Sequence, residues 1–256
     1  MEPQASRSKK CQDFKRLQGA RETRAFHKLL SSMYRKTYHV SSISDLNDIV
    51  RLADFYCALP AVKASIDGVL LNSLDLIEMI PENSVEFLAT AYKLHHGFLF
   101  RESLVHVVAE WKEGSTILDG HPELAQVVRS AYNRLHSQIH KATFDILRAT
   151  NEDVRLFEVF QKAKKTLKAD VDSTAGTALF FRNIYNSYAW SPYYCSAGVM
   201  KARQALELLL SNKLELAGLV PNSVPIQAGV GIYESKFLCV SIANHELSWD
   251  TTAAEW

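Results

Sequence analysis

Apolar residues recur every three or four positions from Ala25 onward, which is the spacing that places side chains on one face of an α-helix. The first apolar stripe consists of five residues: Phe26, Leu29, Leu30, Met33 and Tyr34. A second helix is predicted after Ser44, whose hydroxyl is suited to capping a helix N-terminus. Its predicted buried face consists of Leu46, Ile49, Val50, Ala53 and Phe55 or Tyr56. Pro60 fits the first turn of a third helix, which the pattern predicts over residues 61–71.

The helical period continues through the middle of the chain. Asn83 and Glu86 have the three-residue spacing of a capping box, and Gly97 divides the helix that follows from the next one. From His121 one seam runs to about residue 148 and is interrupted by the polar Gln138; its members are Leu124, Val128, Ala131, Leu135, Gln138, Ala142 and Ile146. The seam is too short for a free coiled coil, so it predicts a long helix that packs on its neighbours.

The C-terminal part of the chain mixes helical and other patterns. A helix is predicted from Asn151, and its exposed side is basic: Lys162, Lys164, Lys165 and Lys168. Residues 170–178 have the composition of a linker, and a further helix is predicted from Met200 to Leu210. Residues 236–242 alternate as in a short strand. The fold class predicted is mainly α: a helical bundle or array with a short C-terminal strand pair or hairpin.

Composition narrows the class of protein without identifying an activity. Hydrophobic residues make up 47% of the 256 residues and charged residues 22%, which are ordinary values for a globular protein. The formal net charge of +1 argues against nucleic acid as the main partner. No apolar run is long enough to cross a bilayer, and no apolar segment follows Met1 as in a secretory signal. We therefore expect a cytoplasmic or nuclear protein that is neither secreted nor bound to a membrane.

Residues 1–24 differ from the rest of the chain in charge. Seven basic and three acidic residues give this segment a net charge of +4, and large apolar residues are scarce in it. We interpret it as a flexible basic tail. The candidate contact residues for an acidic surface or an import receptor are Lys9, Lys10, Lys15 and Arg16. The alternative is a solvated extension without a partner.

Few residues have the spacing that catalysis or metal binding requires. His136 and His140 lie four positions apart, so both could face one metal ion, but no HExxH or CxxC pattern supplies further ligands. Cys57, Cys195 and Cys239 lie in apolar surroundings and are interpreted as packing residues. We therefore predict no catalytic residue, no metal site, no cofactor and no enzymatic activity.

The densest group of aromatic residues lies just after the predicted linker. The candidate partner-binding residues in it are Tyr188, Trp190, Tyr193 and Tyr194. Tyr and Trp are enriched at the centres of protein interfaces, and Ser191-Pro192 is suited to presenting such rings on a turn. Packing inside the protein is the alternative for the same residues.

Two segments near the N-terminus resemble the last part of a BTB/POZ domain. They are AFHKLLSSMYRKTYHV, residues 25–40, and SDLNDIVRLADFYCALPAVKASIDGVL, residues 44–70. The residues that carry the resemblance are Phe26, Leu30, Tyr34, Leu52, Ala53, Asp54, Tyr56 and Pro60. FLATAYKLHHGFLFRESLVHVVAEW, residues 87–111, and YESKFLCVSIANHELSWD, residues 233–250, look like the corresponding parts of fungal BTB proteins.

The resemblance implies a division of the chain. Residues 25–80 correspond to the C-terminal helices of a BTB domain, residues 81–170 to a BACK-like helical region, and residues 176–256 to a C-terminal helical region with a short strand. The strands and helices that begin a complete BTB domain have no counterpart before Ala25. We therefore do not expect the family's homodimerisation and cullin-scaffold binding to carry over.

The function that these observations favour is non-catalytic. The resemblance implies an interaction or adaptor protein of the BTB/BACK-like type, which binds a protein partner through a helical or aromatic surface. One alternative is a nuclear or nucleic-acid-associated protein that uses its basic tail. Another is an enzyme whose site has no local sequence pattern.

Overall fold

The computed structural model describes residues 4–112, 116, 118–166, 177–188, 190, 196–220, 226–247 and 249. Over these residues the fold is mainly α-helical, as predicted. They form two compact units, a first unit that ends at His96 and a second unit that begins at Gly97. The described part contains no helix with both the length and the apolar character needed to cross a bilayer.

The first unit is built from five helices: α1 (Gln4–Met33), α2 (Ile43–Phe55), α3 (Leu59–Asn72), α4 (Leu74–Glu78) and α5 (Ser84–Lys93). Helix α1 packs against α2 and α3, and α2 also packs against α3 and α5. The apolar stripes meet in a core whose largest members are Leu29, Leu46, Ile49, Ile66, Phe87 and Leu88. Helical periodicity therefore locates the core positions of α2, but of the predicted α1 stripe only Leu29 is buried, and Phe26, Met33 and Tyr34 are exposed.

Helix α1 begins well before the predicted start at Ala25. Residues 4–24, which the sequence analysis assigns to a basic tail, are helical and continuous with residues 25–33. The Arg21 side chain donates hydrogen bonds to Asp48 and Ser44 of α2. The basic segment therefore ends at residue 24 in the middle of α1.

Two predicted N-terminal caps differ from those observed. Helix α2 is capped by Ser42, whose Oγ accepts a hydrogen bond from the backbone N–H of Asp45 at 3.2 Å, and not by Ser44. The capping box predicted at α5 is absent because the Asn83 side chain instead donates to the carbonyl of Met79 at 3.0 Å. Short polar side chains often have several backbone partners within reach, so spacing alone does not decide between them.

Three helices of the first unit end in the same kind of turn. After α1, α2 and α5 the chain adopts a left-handed conformation at Arg35, Cys57 and His95, with φ of 54°, 53° and 48°. In each case the next N–H bonds back to a carbonyl five residues earlier, as in Lys36 N–H to Ser31 at 2.8 Å. This is the Schellman motif, which usually has glycine at the left-handed position.

The described residues of the second unit form five α-helices: α6 (Gly97–Glu110), α7 (Pro122–Glu152), α8 (Val154–Thr166), α9 (Thr177–Ser187) and α10 (Ala197–Leu210). Short 3₁₀ helices follow at Ala217–Leu219, Gly231–Tyr233 and Asn244–Glu246. The apolar members of the predicted α7 seam are buried from Leu124 to Ile146, whereas Gln138 is only half-buried, and α10 and α6 pack along this helix.

The predicted C-terminal strand pair is wrong for the described residues, which contain no strand. Residues 226–247, here called the C-terminal segment, combine turns and two 3₁₀ helices with an irregular stretch over residues 236–243, and they form no ladder with a second strand. Phe237, Leu238, Cys239 and Val240 are all buried, so consecutive residues do not alternate between core and solvent. The segment therefore packs on both sides within the second unit.

Arginines take up the backbone carbonyls that a partner strand would otherwise bind. Arg101 of α6 donates to the carbonyl of Ile242 at 3.1 Å, and Arg134 of α7 donates to that of Ser241 at 3.1 Å. Arg182 of α9 donates to the carbonyl of Ala228 at 2.9 Å. Buried backbone groups require partners, and here side chains from three helices provide them.

Gly229 lies where the C-terminal segment crosses α9, and we predict that this position requires glycine. Its φ is +76°, and a Cβ there would lie 2.5 Å from the carbonyl oxygen of Ala178. Gly229→Ala should therefore lower the free energy of unfolding by about 2–4 kcal/mol, since it adds a backbone clash to left-handed strain. Urea denaturation of the full chain measures this loss.

Gly231 is the matched control for this prediction. Its φ is +59°, but a Cβ there would have no neighbour within 4 Å. Gly231→Ala should therefore cost only the left-handed strain, about 1 kcal/mol. Equal losses in the two variants would contradict the proposed clash at Gly229.

Candidate functional site

The predicted partner-binding aromatics lie inside the second unit as far as the structure describes them. Tyr188 is only 6% exposed, and its hydroxyl donates to Asp153 Oδ2 at 2.7 Å. Trp190 is half-buried, its ring centroid lies 4.6 Å from that of Tyr188, and its Nε1–H donates to the carbonyl of Tyr185 at 2.9 Å. Tyr193 and Tyr194 lie outside the described residues. Tyr188 and Trp190 thus have internal partners.

The Tyr188 hydroxyl belongs to a charged network at the start of α8. The Arg155 guanidinium, together with this hydroxyl, holds the pKa of Asp153 well below its usual range. Arg155 Nη2 lies 2.8 Å from Asp153 Oδ2, the oxygen that also accepts from Tyr188. Asp153 therefore remains ionised and links the first turn of α8 to the end of α9.

We predict that Tyr188→Phe lowers the free energy of unfolding by about 1–2 kcal/mol, because it removes a hydrogen bond to a carboxylate from a buried ring. Thermal or urea denaturation measures the change. Tyr34→Phe is the control, since the Tyr34 side chain is exposed and should contribute little. An effect on stability no larger than that of the control would contradict an internal role for the Tyr188 hydroxyl.

The predicted tail residues Lys9, Lys10, Lys15 and Arg16 belong to the backbone of α1. Their side chains lie outside the part of the chain that the structure describes. On the basic face of α8, Lys162, Lys164 and Lys165 are exposed, and Lys168 lies outside the described residues.

The histidine pair and the cysteines have different surroundings. The His136 and His140 ring centroids lie 6.4 Å apart on α7, and His136 stacks on Tyr132 at 4.1 Å. No cluster of three or more metal-ligating side chains occurs among the described residues. Cys239 is buried, as predicted, and burial raises the pKa of its thiol to about 12. Cys195 lies outside the described residues.

Cys57 is exposed, so its predicted packing role is wrong. Helix α2 ends at Phe55, and the left-handed turn at Cys57 reverses the chain before another buried position is reached. The predicted burial of Phe55 or Tyr56 is also wrong. Phe55 is still inside α2 but lies about 200° round the helix from the buried Ala53, and Tyr56 lies just beyond the helix end. Phe55 is 78% exposed and Tyr56 53% exposed.

These two rings and Phe26 of α1 form an exposed aromatic cluster on the first unit. The Tyr56 ring centroid lies 5.6 Å from that of Phe26 and 5.0 Å from that of Phe55, in an edge-to-face arrangement with Phe55. Phe26 is itself 39% exposed. Neighbouring rings at such distances stabilise one another, which gives the cluster a fixed shape.

An apolar stripe on α1 extends from the aromatic cluster. Leu30 and Met33 follow Phe26 at i+4 and i+7, so the three side chains share one face over about 10 Å of helix. Leu30 is half-buried and Met33 is exposed. Large apolar residues that are exposed together on one surface are typical of interaction sites.

The charged residues around the aromatic cluster form internal ion pairs. Arg51 lies 3.6 Å from Glu22, and Lys93 lies 3.0 Å from Asp54, measured between nitrogen and oxygen atoms. Each pair joins opposite charges, so the rim has little net charge. The surface is therefore suited to an apolar partner rather than to a strongly charged one.

Two buried titratable residues on α6 are the other candidates for chemistry. The carboxylate of Glu102 accepts backbone hydrogen bonds from Glu215, Leu216 and Ala217 at 2.7, 3.1 and 3.0 Å. Burial raises the pKa of Glu102, and these three bonds oppose the rise. The carboxylate thus binds the chain after α10 and has a structural role.

His106 lies one turn beyond Glu102 on the same helix and is also buried. Burial lowers the pKa of this histidine to about 4, and the positive charge of Lys236 contributes. Its ring centroid lies 6.1 Å from that of Tyr233 in the C-terminal segment. A neutral imidazole packed in this way stabilises the fold, and burial keeps it from solvent.

We predict that His106 makes the protein sensitive to acid. Its pKa of about 4 in the folded chain lies below the value of about 6.5 in the unfolded chain. The contribution of neutral His106 to the free energy of unfolding is therefore complete above pH 6.5. As the pH falls towards 4 this contribution is lost, and the loss reaches up to about 3 kcal/mol. Urea denaturation of wild type and His106→Gln at several pH values measures the difference.

The test uses the difference in stability between wild type and His106→Gln because the titration of Glu102 changes stability with pH in the opposite direction. Its raised pKa favours the folded state as the pH falls, in both proteins alike. The stability of wild type relative to His106→Gln should thus fall between pH 7 and pH 4. A constant difference would show that His106 titrates normally.

Comparison of this chain with protein-family models, with curated proteins and with solved structures found no match. The functional assignment therefore depends on the geometry of its own surfaces.

Proposed function

We propose that this protein is a non-catalytic interaction or adaptor protein that binds a protein partner through the aromatic cluster of its first unit. The observation that carries the proposal is the exposure of Phe55 and Tyr56 beside Phe26 in one group of contacting rings. The resemblance of residues 25–70 to BTB/POZ domains supports the same class of function, a BTB/BACK-like adaptor. The binding surface proposed differs from the aromatic segment at residues 188–194.

The physical argument rests on the cost of exposing rings to water. Transferring an aromatic side chain from water to an apolar contact contributes about 1.5–3 kcal/mol when the whole side chain becomes buried. Two or three such rings at the centre of an interface are enough to act as hot spots. The rings already contact one another, so little side-chain freedom remains to be lost on binding.

The partner that fits this surface is the apolar face of an amphipathic helix. The stripe through Phe26, Leu30 and Met33 runs along α1, and a second helix could pack against it with ridges in grooves. Two ion pairs at the rim, Glu22–Arg51 and Asp54–Lys93, each join opposite charges, so neither pair adds net charge that would attract an acidic or basic segment. Affinity should therefore depend weakly on salt.

We predict that Phe55→Ser abolishes partner binding while the protein remains folded, because Phe55 is exposed and contributes little to the core. Affinity capture with the full chain identifies a candidate partner, and calorimetry with that purified partner gives the dissociation constant. Loss of a hot-spot ring should weaken binding at least about 30-fold, which corresponds to about 2 kcal/mol. Circular dichroism verifies the fold of the variant.

Phe144→Ser is the matched control. Phe144 lies on α7 of the second unit and is 73% exposed, close to the exposure of Phe55. The Phe144→Ser variant should bind the partner with the affinity of the wild type. Equal binding by Phe55→Ser and wild type would exclude the aromatic cluster as the binding surface, as would a tenfold loss of affinity between 50 mM and 200 mM salt.

A further inference from the structure

A second surface feature of the first unit is a cleft of about 460 Å³. Its walls come from the end of α1, the extended residues that follow, and one face of α3. This volume is in the range of small-molecule sites. It shares no lining residue with the aromatic cluster, and the interaction function proposed above does not use it.

Small residues on α3 create the space. Ala61, Ala64, Ser65 and Gly68 line the cleft on this side. A Cβ at Gly68 would have no neighbour within 4 Å. The opposite wall is held in place because the Tyr38 hydroxyl lies 2.9 Å from Ser65 Oγ and the backbone N–H of Val40 donates to Ser73 Oγ at 3.0 Å.

The interior of the cleft contains three linked hydroxyl groups. Ser65 Oγ donates to the carbonyl of Val62 at 3.0 Å, which uses its only proton. Ser65 Oγ also lies 3.1 Å from Ser32 Oγ and 2.9 Å from the Tyr38 hydroxyl, so both of these donate to it. Ser32 is buried behind this group, whereas the half-buried Tyr38 oxygen has a lone pair that can accept a hydrogen bond from a ligand.

The mouth of the cleft is positively charged. Arg35 and Lys36 line it, and the lining contains no acidic residue. Neither side chain forms an ion pair within the described part of the chain. The left-handed backbone at Arg35 places this long cationic residue where a helix end commonly has glycine. An unpaired arginine beside a lysine is suited to an oxyanion.

We propose that this cleft binds a small polyol that carries an anionic group, as phosphorylated and carboxylated sugars do. The anionic group would lie between Arg35 and Lys36 at the mouth. A hydroxyl group of the ligand would donate to the Tyr38 oxygen inside, while its carbon skeleton packs against Gly68 and Ala64. The ligand needs both the anionic group and the hydroxyl groups, because a ligand with only one of them would interact with only the mouth or only the interior of the cleft.

Isothermal titration calorimetry of the full chain tests this proposal with four probes. Glucose 6-phosphate and gluconate each carry an anionic group and several hydroxyl groups. Inorganic phosphate supplies only the anionic group, and sorbitol supplies only the hydroxyl groups. We expect glucose 6-phosphate or gluconate to bind at least about tenfold more tightly than either inorganic phosphate or sorbitol. Whichever of glucose 6-phosphate and gluconate binds more tightly shows whether the preferred anionic group is a phosphate or a carboxylate.

Substitutions then locate the binding. Arg35→Gly combined with Lys36→Gln removes both charges while glycine keeps the left-handed turn, and should weaken binding at least about tenfold. Gly68→Leu fills the cleft and should abolish binding, while leucine favours the helix more than glycine does. Lys162→Gln on the exposed face of α8 is the charge control and should leave the affinity unchanged.

Three results would overturn the proposal. They are the absence of binding by both glucose 6-phosphate and gluconate, equal binding by phosphate or sorbitol, and full binding by Gly68→Leu. Thermal denaturation of each variant shows that it is folded, so a loss of binding is assigned to the cleft. Failure here leaves the aromatic cluster unaffected, because its test uses a protein partner and Phe55→Ser.

Discussion

The non-helical part of the second unit depends on one buried carboxylate. Glu102 accepts hydrogen bonds from three successive backbone N–H groups at residues 215–217, where the chain leaves α10. A buried loop is destabilised by every backbone group without a partner, and a carboxylate with two oxygens can serve three donors at once. Arg101, on the adjacent residue of α6, binds the carbonyl of Ile242. One turn of α6 thereby positions two separate parts of the chain that lie far apart in sequence.

This use of charge explains why titratable residues with shifted pKa values are poor guides to activity in this protein. Shifted values cluster at catalytic sites, but structural networks produce them as well. Glu102 and His106 are shifted mainly by burial, and Asp153 by Arg155 and Tyr188. Glu102 and Asp153 bind backbone or side-chain groups that hold loops and helix ends together. The chemistry at these positions therefore supports the fold, and the surfaces available for binding lie elsewhere.

The sequence predicts the helices well because helical periodicity is a local property. The α7 seam from Leu124 to Ile146 is recognisable without any knowledge of what packs on it. The C-terminal segment is different, since its carbonyls accept hydrogen bonds from arginines of α6, α7 and α9 and from distant backbone N–H groups such as that of Lys213, which donates to Leu238. No pattern within residues 236–242 encodes those partners, and β-branched residues there suggest a strand. The exposure of Phe55 is missed because this residue, although apolar and inside α2, lies two positions beyond the buried Ala53 and so on the opposite side of the helix.

Helix ends also connect the two candidate binding surfaces of the first unit. The turn at Cys57 follows α2 next to the exposed Phe55 and Tyr56, and the turn at Arg35 ends α1 at the mouth of the cleft. A residue with a side chain in this conformation costs about 1 kcal/mol relative to glycine. Glycine at either position would give the same chain reversal with less strain, so the fold alone does not require these side chains. At Arg35 the strain coincides with a cation that has no ion pair among the described residues and lines a polar cleft. Backbone strain that the fold does not require suggests a function when the strained residue also carries a charged group without an ion pair. Arg35 meets both conditions, through its positive φ and its guanidinium.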